Sequence, residues 1–139
     1  MIKEEIIFFG HRNIRCLHSR TIEITRNSSL SVRGDCIAGV SASKACKDLD
    51  GEFKARLCDD TRRIFIEINV NNLSFDMHGF TDQHLTLTHA DDIVIRRSRY
   101  LCPRTVCVLS DKGSRDMPRN LVKELQNPAT VAKLSMSIE

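Results

Sequence analysis

The chain has 139 residues, 41% of them hydrophobic, and a formal net charge of +3. That length suits one compact core, and its apolar runs fall far short of the roughly 18 residues that a membrane-spanning helix needs. The start, MIKEEII, is acidic where an export signal is basic and then apolar. We therefore expect a single domain over residues 1–139 in a soluble, cytoplasmic protein with no membrane partner, and we expect its cysteines to be mostly thiols.

Apolar and polar residues alternate with a period of two along most of the chain, which is typical of β-strands. The predicted strands, in chain order, are 2–10, 21–26, 35–40, 64–70, 73–77, 84–88, 92–97, 104–109 and 129–138. In the central pair, Asn71-Asn72 supplies a two-residue turn between the two apolar faces. The sequence therefore predicts a hairpin at this point.

Two helices interrupt the strand pattern. The first is predicted near residues 48–58, where Leu49, Phe53 and Leu57 recur every four residues. The second has a buried stripe and a stop at Asn127-Pro128, and Ser114 or Asp116 is expected to cap its start. The residues of that stripe are Met117, Leu121 and Leu125.

We see no internal repeat or linker in the sequence. The fold that these elements favour is mainly β: a single-domain β-sandwich or barrel of about nine strands with one or two short helices.

Three segments together resemble the archaeal domain of unknown function 371 family. They are GHRNIRCLHSRTIEIT at 10–25, RGDCIAGV at 33–40, and a stretch from His89 through DDIVIRRS and RTVCVLSDK to Arg119. The sequence departs from the family pattern at Arg12, where proline is usual, and at Gly113-Ser114, where two alanines are usual. The resemblance implies an archaeal source, a mainly β fold and a single domain, and it brings no established activity, cofactor or partner.

Positive charge is concentrated in one segment. Residues 96–123 hold eight Lys or Arg against two Asp, a formal +6 that leaves about −3 for the remainder of the chain. Such clustering attracts phosphates or carboxylates. The candidate anion-binding residues are Arg96, Ser98, Arg104, Asp111, Lys112, Arg115, Arg119 and Lys123.

Two arginines in this segment are expected to lie on adjacent strands. Arg96 and Arg104 each share a face with apolar residues, so two guanidinium forks can meet near one end of the sheet and suit a phosphate. The alternative is that each arginine pairs with a carboxylate such as Asp35, Asp92 or Asp111.

The rest of the segment also has two interpretations. Asp111-Lys112 precedes a helix, where free backbone N–H groups can bind an anion, or Asp111 only organises the turn. Arg115, Arg119 and Lys123 form a basic stripe that tracks phosphates or is an ordinary solvated helix face. The GxxxxGK[ST] motif of P-loop nucleotide hydrolases is absent.

A second group of polar residues is a candidate pocket, with histidines and an aspartate available for proton transfer. Its members are His11, His18, Arg33, Asp35 and His78. The alternative for His11 and His18 is that each is a loop histidine hydrogen-bonded to backbone carbonyls. No HExxH motif and no Cys/His cluster with zinc spacing is present, so neither a metal nor a cofactor is expected.

Two classes of function remain open, beside a third, structural role as an adaptor or assembly subunit with no ligand. The first is a non-catalytic module that binds nucleic acid or another phosphate-bearing ligand through clustered Arg and Lys. The second is an enzyme or small-ligand protein that acts on a phosphorylated or carboxylated metabolite with His and Asp as acid and base. Low aromatic content, 5% with no Trp, disfavours base stacking. The oligomeric state is not set by the sequence.

Overall fold

Two four-stranded sheets make up the strand content of residues 1–31 and 33–139, the part of the chain that the computed structural model describes. The strands are β1 (Ile2–Phe9), β2 (Thr21–Thr25), β3 (Ile37–Gly39), β4 (Arg63–Val70), β5 (Leu73–Phe80), β6 (Asp92–Arg96), β7 (Thr105–Cys107) and β8 (Val131–Ile138). Each half of the chain also carries a 3-10 turn, at Cys46–Asp48 and Ser114–Asp116, and a helix, α1 (Gly51–Leu57) and α2 (Arg119–Leu125).

The first sheet has the order β1-β8-β4-β5, with every pair antiparallel. Alternate residues of β4 are buried, as the period of two predicts. The hairpin between β4 and β5 is confirmed, and its turn residue Asn71 takes a positive φ of 55°. Asparagine tolerates this left-handed conformation better than most residues do.

The second sheet has the order β3-β2-β6-β7, with an antiparallel central pair and two parallel outer pairs. Isolated antiparallel bridges join its edges to the first sheet, one between Phe9 and Val40 and one between Phe80 and Val108. These bridges join both edges of the two sheets as in a barrel. The predicted mainly β fold, a sandwich or barrel of about nine strands, is therefore confirmed, with eight strands among the described residues.

The ninth expected strand, 84–88, is absent from the described structure. Leu85 and Leu87 are buried, which produced the strand-like alternation. Leu87, however, has a φ of 55°, which a strand does not allow, and the Leu85 N–H donates to Asp82 O at 3.1 Å in a turn. Burial alternates here without an extended backbone.

Both predicted helices are present, although each is shorter than expected and follows a 3-10 turn. Leu49, Phe53 and Leu57 are buried, and so is the stripe of the second helix. The expected cap is wrong: Ser114 and Asp116 lie in the 3-10 turn, and Pro118 precedes the first residue of α2. No helix in the described residues is long and apolar enough to cross a membrane.

The two halves of the chain repeat one structure. The order β1-β2-β3-turn-α1-β4 recurs as β5-β6-β7-turn-α2-β8, displaced by 71 residues for the first two strands and by 68 residues thereafter. Irregular features recur at the same offsets: positive φ angles at Cys16 and Leu87, and again at Ser41 and Leu109. The expectation that the chain has no internal repeat is therefore wrong.

A pseudo-twofold axis relates the two halves, and their strands are shared between both sheets. Each half contributes two strands to each sheet, and β1 pairs with β8 while β5 pairs with β4. The axis passes between β4 and β8 and between β2 and β6, the central pairs of the two sheets. Every position in one half therefore has a counterpart in the other half for comparison.

Candidate anion-binding site

The candidate site is a cleft at the end of β6, where the chain leaves the second sheet. Ser19, Arg20, Arg97 and Ser98 line this cleft, which has a volume of about 400 Å³. We call it the cationic cleft. It joins the start of the basic segment to a loop almost 80 residues earlier in the chain.

Backbone hydrogen bonds fix the walls of the cationic cleft. The Arg97 N–H donates to Arg20 O at 2.9 Å, and the Arg97 guanidinium donates through Nη1 to Ser19 O at 3.3 Å. The Arg115 N–H donates to His18 O at 3.0 Å, which places the backbone of a third arginine beside the residue that precedes Ser19. Gly113 packs so closely on Ser19 that a side chain at position 113 would collide with its carbonyl.

The charge around this cleft is not balanced locally. Arg20, Arg97 and Arg115 are all exposed. Among the residues that the structure describes, none of these three guanidinium groups forms an ion pair with a carboxylate. Arginine is always charged and presents a planar fork that matches phosphate oxygens. The cleft can therefore attract an oxyanion.

The pair of arginines predicted from the sequence has a different arrangement. Arg104 is paired with Asp92 at 3.0 Å and with Glu23 at 3.2 Å, so its charge is neutralised. Arg96 contacts no carboxylate among the described residues; its Nε donates to Thr105 Oγ1 at 2.9 Å, and its guanidinium lies 4.9 Å from the centre of the Tyr100 ring. The alternative of carboxylate pairing therefore describes Arg104 and not Arg96.

Arg96 also donates to a half-buried thiol, Cys102 Sγ, at 3.3 Å, and Thr105 Oγ1 lies 3.4 Å from the same sulfur. Burial acts to raise the pKa of Cys102, but hydrogen bonds from Thr105, the Arg104 backbone and Arg96, together with the Arg96 charge, lower it to about 7. Burial raises the pKa of Cys36 to about 11. Cys102 is therefore the thiol most readily ionised in this region.

Most of the other predicted anion ligands have internal partners. Asp111 accepts a hydrogen bond from the His78 N–H at 2.9 Å, and Lys112 Nζ donates to Asp76 O at 2.6 Å. Arg119 donates to a set of backbone carbonyls, with Met117 O at 2.9 Å and Cys16 O at 3.0 Å the closest. These contacts organise loops and leave fewer donors for a ligand.

The predicted basic stripe does not lie on one helix. Arg115 belongs to the 3-10 turn, Arg119 begins α2 with its guanidinium engaged, and Lys123 is exposed near the end of that helix. Ser98 does line the cationic cleft. A role for each of these residues in anion binding stays a prediction.

The candidate pocket does not assemble as one group in the described contacts. Ser114 Oγ donates to His18 O at 3.0 Å and to Asp35 O at 3.3 Å, which joins those two loops. His11 lines a separate shallow cleft, and His78 faces Asp111 at 3.4 Å. Arg33 is exposed, and its N–H donates to Ser31 Oγ at 3.3 Å.

Two of the histidines hydrogen-bond locally, but to backbone N–H groups and not to the carbonyls that the alternative expected. His11 Nδ1 accepts from the Asn13 N–H at 3.0 Å, and His18 Nδ1 accepts from the Arg20 N–H at 3.2 Å. Asp35 pairs with Arg15 at 3.6 Å. Among the described residues, no three His, Cys, Asp or Glu side chains are grouped to hold a metal ion.

Sequence reasoning missed three of the residues that form the cationic cleft or its wall: Ser19, Arg20 and Arg97. Arg97 lies within the basic segment, so charge clustering could have included it. Ser19 and Arg20 lie far away in the chain and join the cleft only because β2 pairs with β6, with Thr21 opposite Arg96. That pairing was not predictable from charge.

Two comparisons with known proteins bear on the chain. The family described as domain of unknown function (DUF371) matches residues 6–139. An uncharacterized protein of Methanocaldococcus jannaschii is 38% identical over 117 residues, which cover 84% of this chain and 86% of that protein. Neither description names an activity, a ligand or a partner.

Proposed function

We propose, from the premise that this chain belongs to the DUF371 family, that it is a non-catalytic module binding a phosphate-bearing partner at the cationic cleft. The observation that carries the proposal is an exposed cleft lined by Arg20 and Arg97. The backbone of Arg115 is close by, since its N–H donates to the O of the adjoining His18. None of these three arginines forms an ion pair with a carboxylate among the described residues. Uncompensated guanidinium groups raise the local potential and favour an anion over a neutral ligand.

Phosphate contacts dominate this binding mode. The exposed aromatic residue near the site is Tyr100, and the guanidinium of Arg96 already lies over its ring. Stacking of bases needs free aromatic faces, so recognition through phosphate oxygens is favoured over base recognition. Ser19 and Ser98 at the rim supply hydroxyl donors for the same oxygens.

One observation favours the second class, an enzyme or small-ligand protein with acid-base residues. Because the Arg20 N–H donates to His18 Nδ1, a neutral His18 carries its proton on Nε2. The imidazole is exposed next to the cationic cleft, so its Nε2–H can donate a hydrogen bond to a bound oxyanion. A neutral imidazole does not give up this proton, so the geometry favours the small-ligand form of this class over acid-base catalysis.

The test is binding to RNA and to duplex DNA over a salt series, measured by fluorescence anisotropy. We expect binding that weakens steeply as salt rises, because each phosphate contact releases counterions. The triple variant Arg20→Gln, Arg97→Gln, Arg115→Gln should lose most of the affinity and flatten the salt dependence by about one unit per lost contact.

A matched triple variant controls for net charge. Lys3→Gln, Arg12→Gln and Arg63→Gln remove the same charge from exposed positions outside the cationic cleft. This variant should retain binding. Equal loss of affinity in the two triple variants, or no binding of RNA or DNA by the wild-type protein, would contradict polyanion binding at the cleft.

A further inference from the structure

The pseudo-twofold axis gives the cationic cleft an internal counterpart. The equivalent position lies at the end of β2, where Arg26 and Asn27 replace Arg97 and Ser98 and where Ala90 and Asp91 replace Ser19 and Arg20. Its backbone contacts are the same. We call it the counterpart position.

Corresponding distances agree closely at the two positions. The Arg26 N–H donates to Asp91 O at 2.8 Å, as the Arg97 N–H donates to Arg20 O at 2.9 Å. The Lys47 N–H donates to His89 O at 3.1 Å, matching the 3.0 Å bond from Arg115 to His18. The scaffold is therefore held constant, and only the side chains differ.

Those side chains neutralise the charge at the counterpart position. Asp91 stands where the cationic cleft has Arg20, and Arg26 is paired with Asp48 at 3.0 Å. A backbone hydrogen bond from Ala45, with the nearby Arg26, holds the pKa of Asp48 below its usual value, so the pair stays ionised at neutral pH. The corresponding Asp116 accepts from the Gly113 N–H at 2.8 Å and forms no ion pair with Arg97 within the described residues.

From this contrast we infer that the cationic cleft is a single-phosphate site that takes the terminal phosphate monoester of a small molecule. This inference rests on the proposed function. A monoester phosphate carries about −1.5 to −2 charge at pH 7 and three terminal oxygens, which suits several guanidinium donors in one place. A phosphodiester in a nucleic acid carries one charge and needs a series of cationic positions along its path.

The distribution of charge favours one phosphate over a chain of them. Of the two equivalent positions that the fold offers, one is cationic and the other is neutralised by Asp48 and Asp91. The volume of about 400 Å³ lies within the usual range for small-ligand sites. Polyanions have no second equivalent site to occupy, whereas a small monoester needs none.

The experiment uses the full chain labelled with ¹⁵N and two probes at constant ionic strength, methyl phosphate and dimethyl phosphate. We expect saturable amide shifts at Arg20, Arg97 and Arg115 with methyl phosphate, and binding at least tenfold weaker with dimethyl phosphate. The amides of the counterpart position, Arg26 and Lys47, should not shift. Affinity for methyl phosphate should fall from pH 7.5 to pH 5, because the second phosphate pKa is about 6.

Three substitutions complete the test, and the two that introduce Asp change the charge by the same amount. Arg20→Asp introduces the residue type found at the counterpart position and should abolish the saturable shifts, and Arg20→Gln should weaken them at least tenfold. Lys47→Asp is the matched control at the counterpart position and should leave binding unchanged. Thermal melts of each variant verify that it is folded.

The outcomes separate this inference from the proposed function. Equal binding of the two probes, or equal shifts at the two positions, would overturn the monoester site. If methyl phosphate does not saturate while polyanion binding still depends on the cleft arginines, the monoester site is wrong and the proposed function stands. If neither probe nor polyanion binds at the cleft, both are wrong.

Discussion

The ring of Phe8 occupies the space that a Cβ atom on Gly39 would need. The pseudo-twofold axis relates Phe8 to Gly79 and Gly39 to Cys107, and there the sizes are exchanged, because Cys107 Sγ fills the space beside Gly79. Each half thus pairs one glycine with one larger residue where a strand of the first sheet meets a strand of the second. The repeat conserves a close contact made possible by a glycine, and not the position or the identity of the larger residue.

Replacing the small member of the first pair should destabilise the fold. Gly39→Cys puts a side chain into the space of the Phe8 ring, and overpacking of this kind costs about 1–3 kcal/mol. Chemical denaturation followed by circular dichroism measures the loss. Gly51, whose Cβ would meet no atom within 4 Å, provides the control: Gly51→Cys should be far milder.

A double variant tests whether the two residues act as one unit. Phe8→Ala alone should cost about 3–5 kcal/mol through the cavity that it leaves. Combined with Gly39→Cys, it approaches the arrangement of the second half, so the double variant should be more stable than the sum of the single losses predicts. Strict additivity would contradict the exchange of sizes.

Much of the fold could be predicted from local pattern. The β4–β5 hairpin, the buried stripes of the helices and most strands follow from periodicity, because burial on one face fixes which residues are apolar. The duplication was missed even though its signal is visible in SKACKDL at 43–49 and DKGSRDM at 111–117. The signal is short because the repeat conserves burial and turn geometry, which many sequences satisfy.

The candidate site was less predictable. Charge clustering indicated the right region, but it could not separate Arg104, which two carboxylates neutralise, from Arg97, which lies in the cationic cleft. Arg20 joins the site only through the pairing of β2 with β6. Long-range pairing decides which charges are compensated, and local sequence does not encode it.

Arg104 should contribute to stability and not to binding. Arg104→Met leaves the mostly buried Glu23 and Asp92 without a counter-charge, and because Arg104 itself is 39% exposed we expect a loss of about 1–3 kcal/mol. Urea denaturation measures the loss, and anisotropy should show unchanged polyanion binding. A variant that is stable and fails to bind would instead place Arg104 in the binding site.

The stability that the Arg104→Met variant loses should depend on pH. Burial, followed by the charge of Asp92, raises the pKa of Glu23. A carboxyl whose pKa is raised on folding favours the folded state when protonated, and that contribution disappears as pH rises through the folded pKa. Removing Arg104 raises the pKa of Glu23 further. The loss in the free energy of unfolding of Arg104→Met should therefore be largest near pH 8 and should shrink toward pH 5. A deficit that grows on acidification would contradict this assignment.

Arg119 should stabilise the fold through the planar shape of its guanidinium group as well as through its charge. The group donates to the carbonyls of Arg15, Cys16 and Met117 at 2.9 to 3.1 Å, which fixes the loop before β2 against the start of α2. Arg119→Lys keeps the charge and loses the fork, so it should cost about 1–2 kcal/mol with polyanion binding unchanged. Lys123→Gln, nearby and exposed, should be neutral in stability. If Arg119→Lys is as stable as the wild-type protein, this structural role is wrong.

Cys102 should react faster with iodoacetamide than any other cysteine in the chain, since the thiolate is the reactive form. Its labelling rate should reach half of its maximum near pH 7, following the pKa of about 7. Burial raises the pKa of Cys16, Cys46 and Cys107 to about 12, so these thiols should stay unlabelled in the folded protein. Peptide mass spectrometry assigns each rate to its residue.

The Arg96→Gln variant identifies the cause of that reactivity. It removes the charge and the 3.3 Å hydrogen bond to Cys102 Sγ, so the labelling midpoint should move upward toward the ordinary thiol value. Arg97→Gln, one residue away and directed at Ser19 O, is the control and should leave the midpoint in place. If the two variants give the same midpoint, the guanidinium of Arg96 does not stabilise the thiolate, and hydrogen bonds from Thr105 and the Arg104 backbone remain as its support.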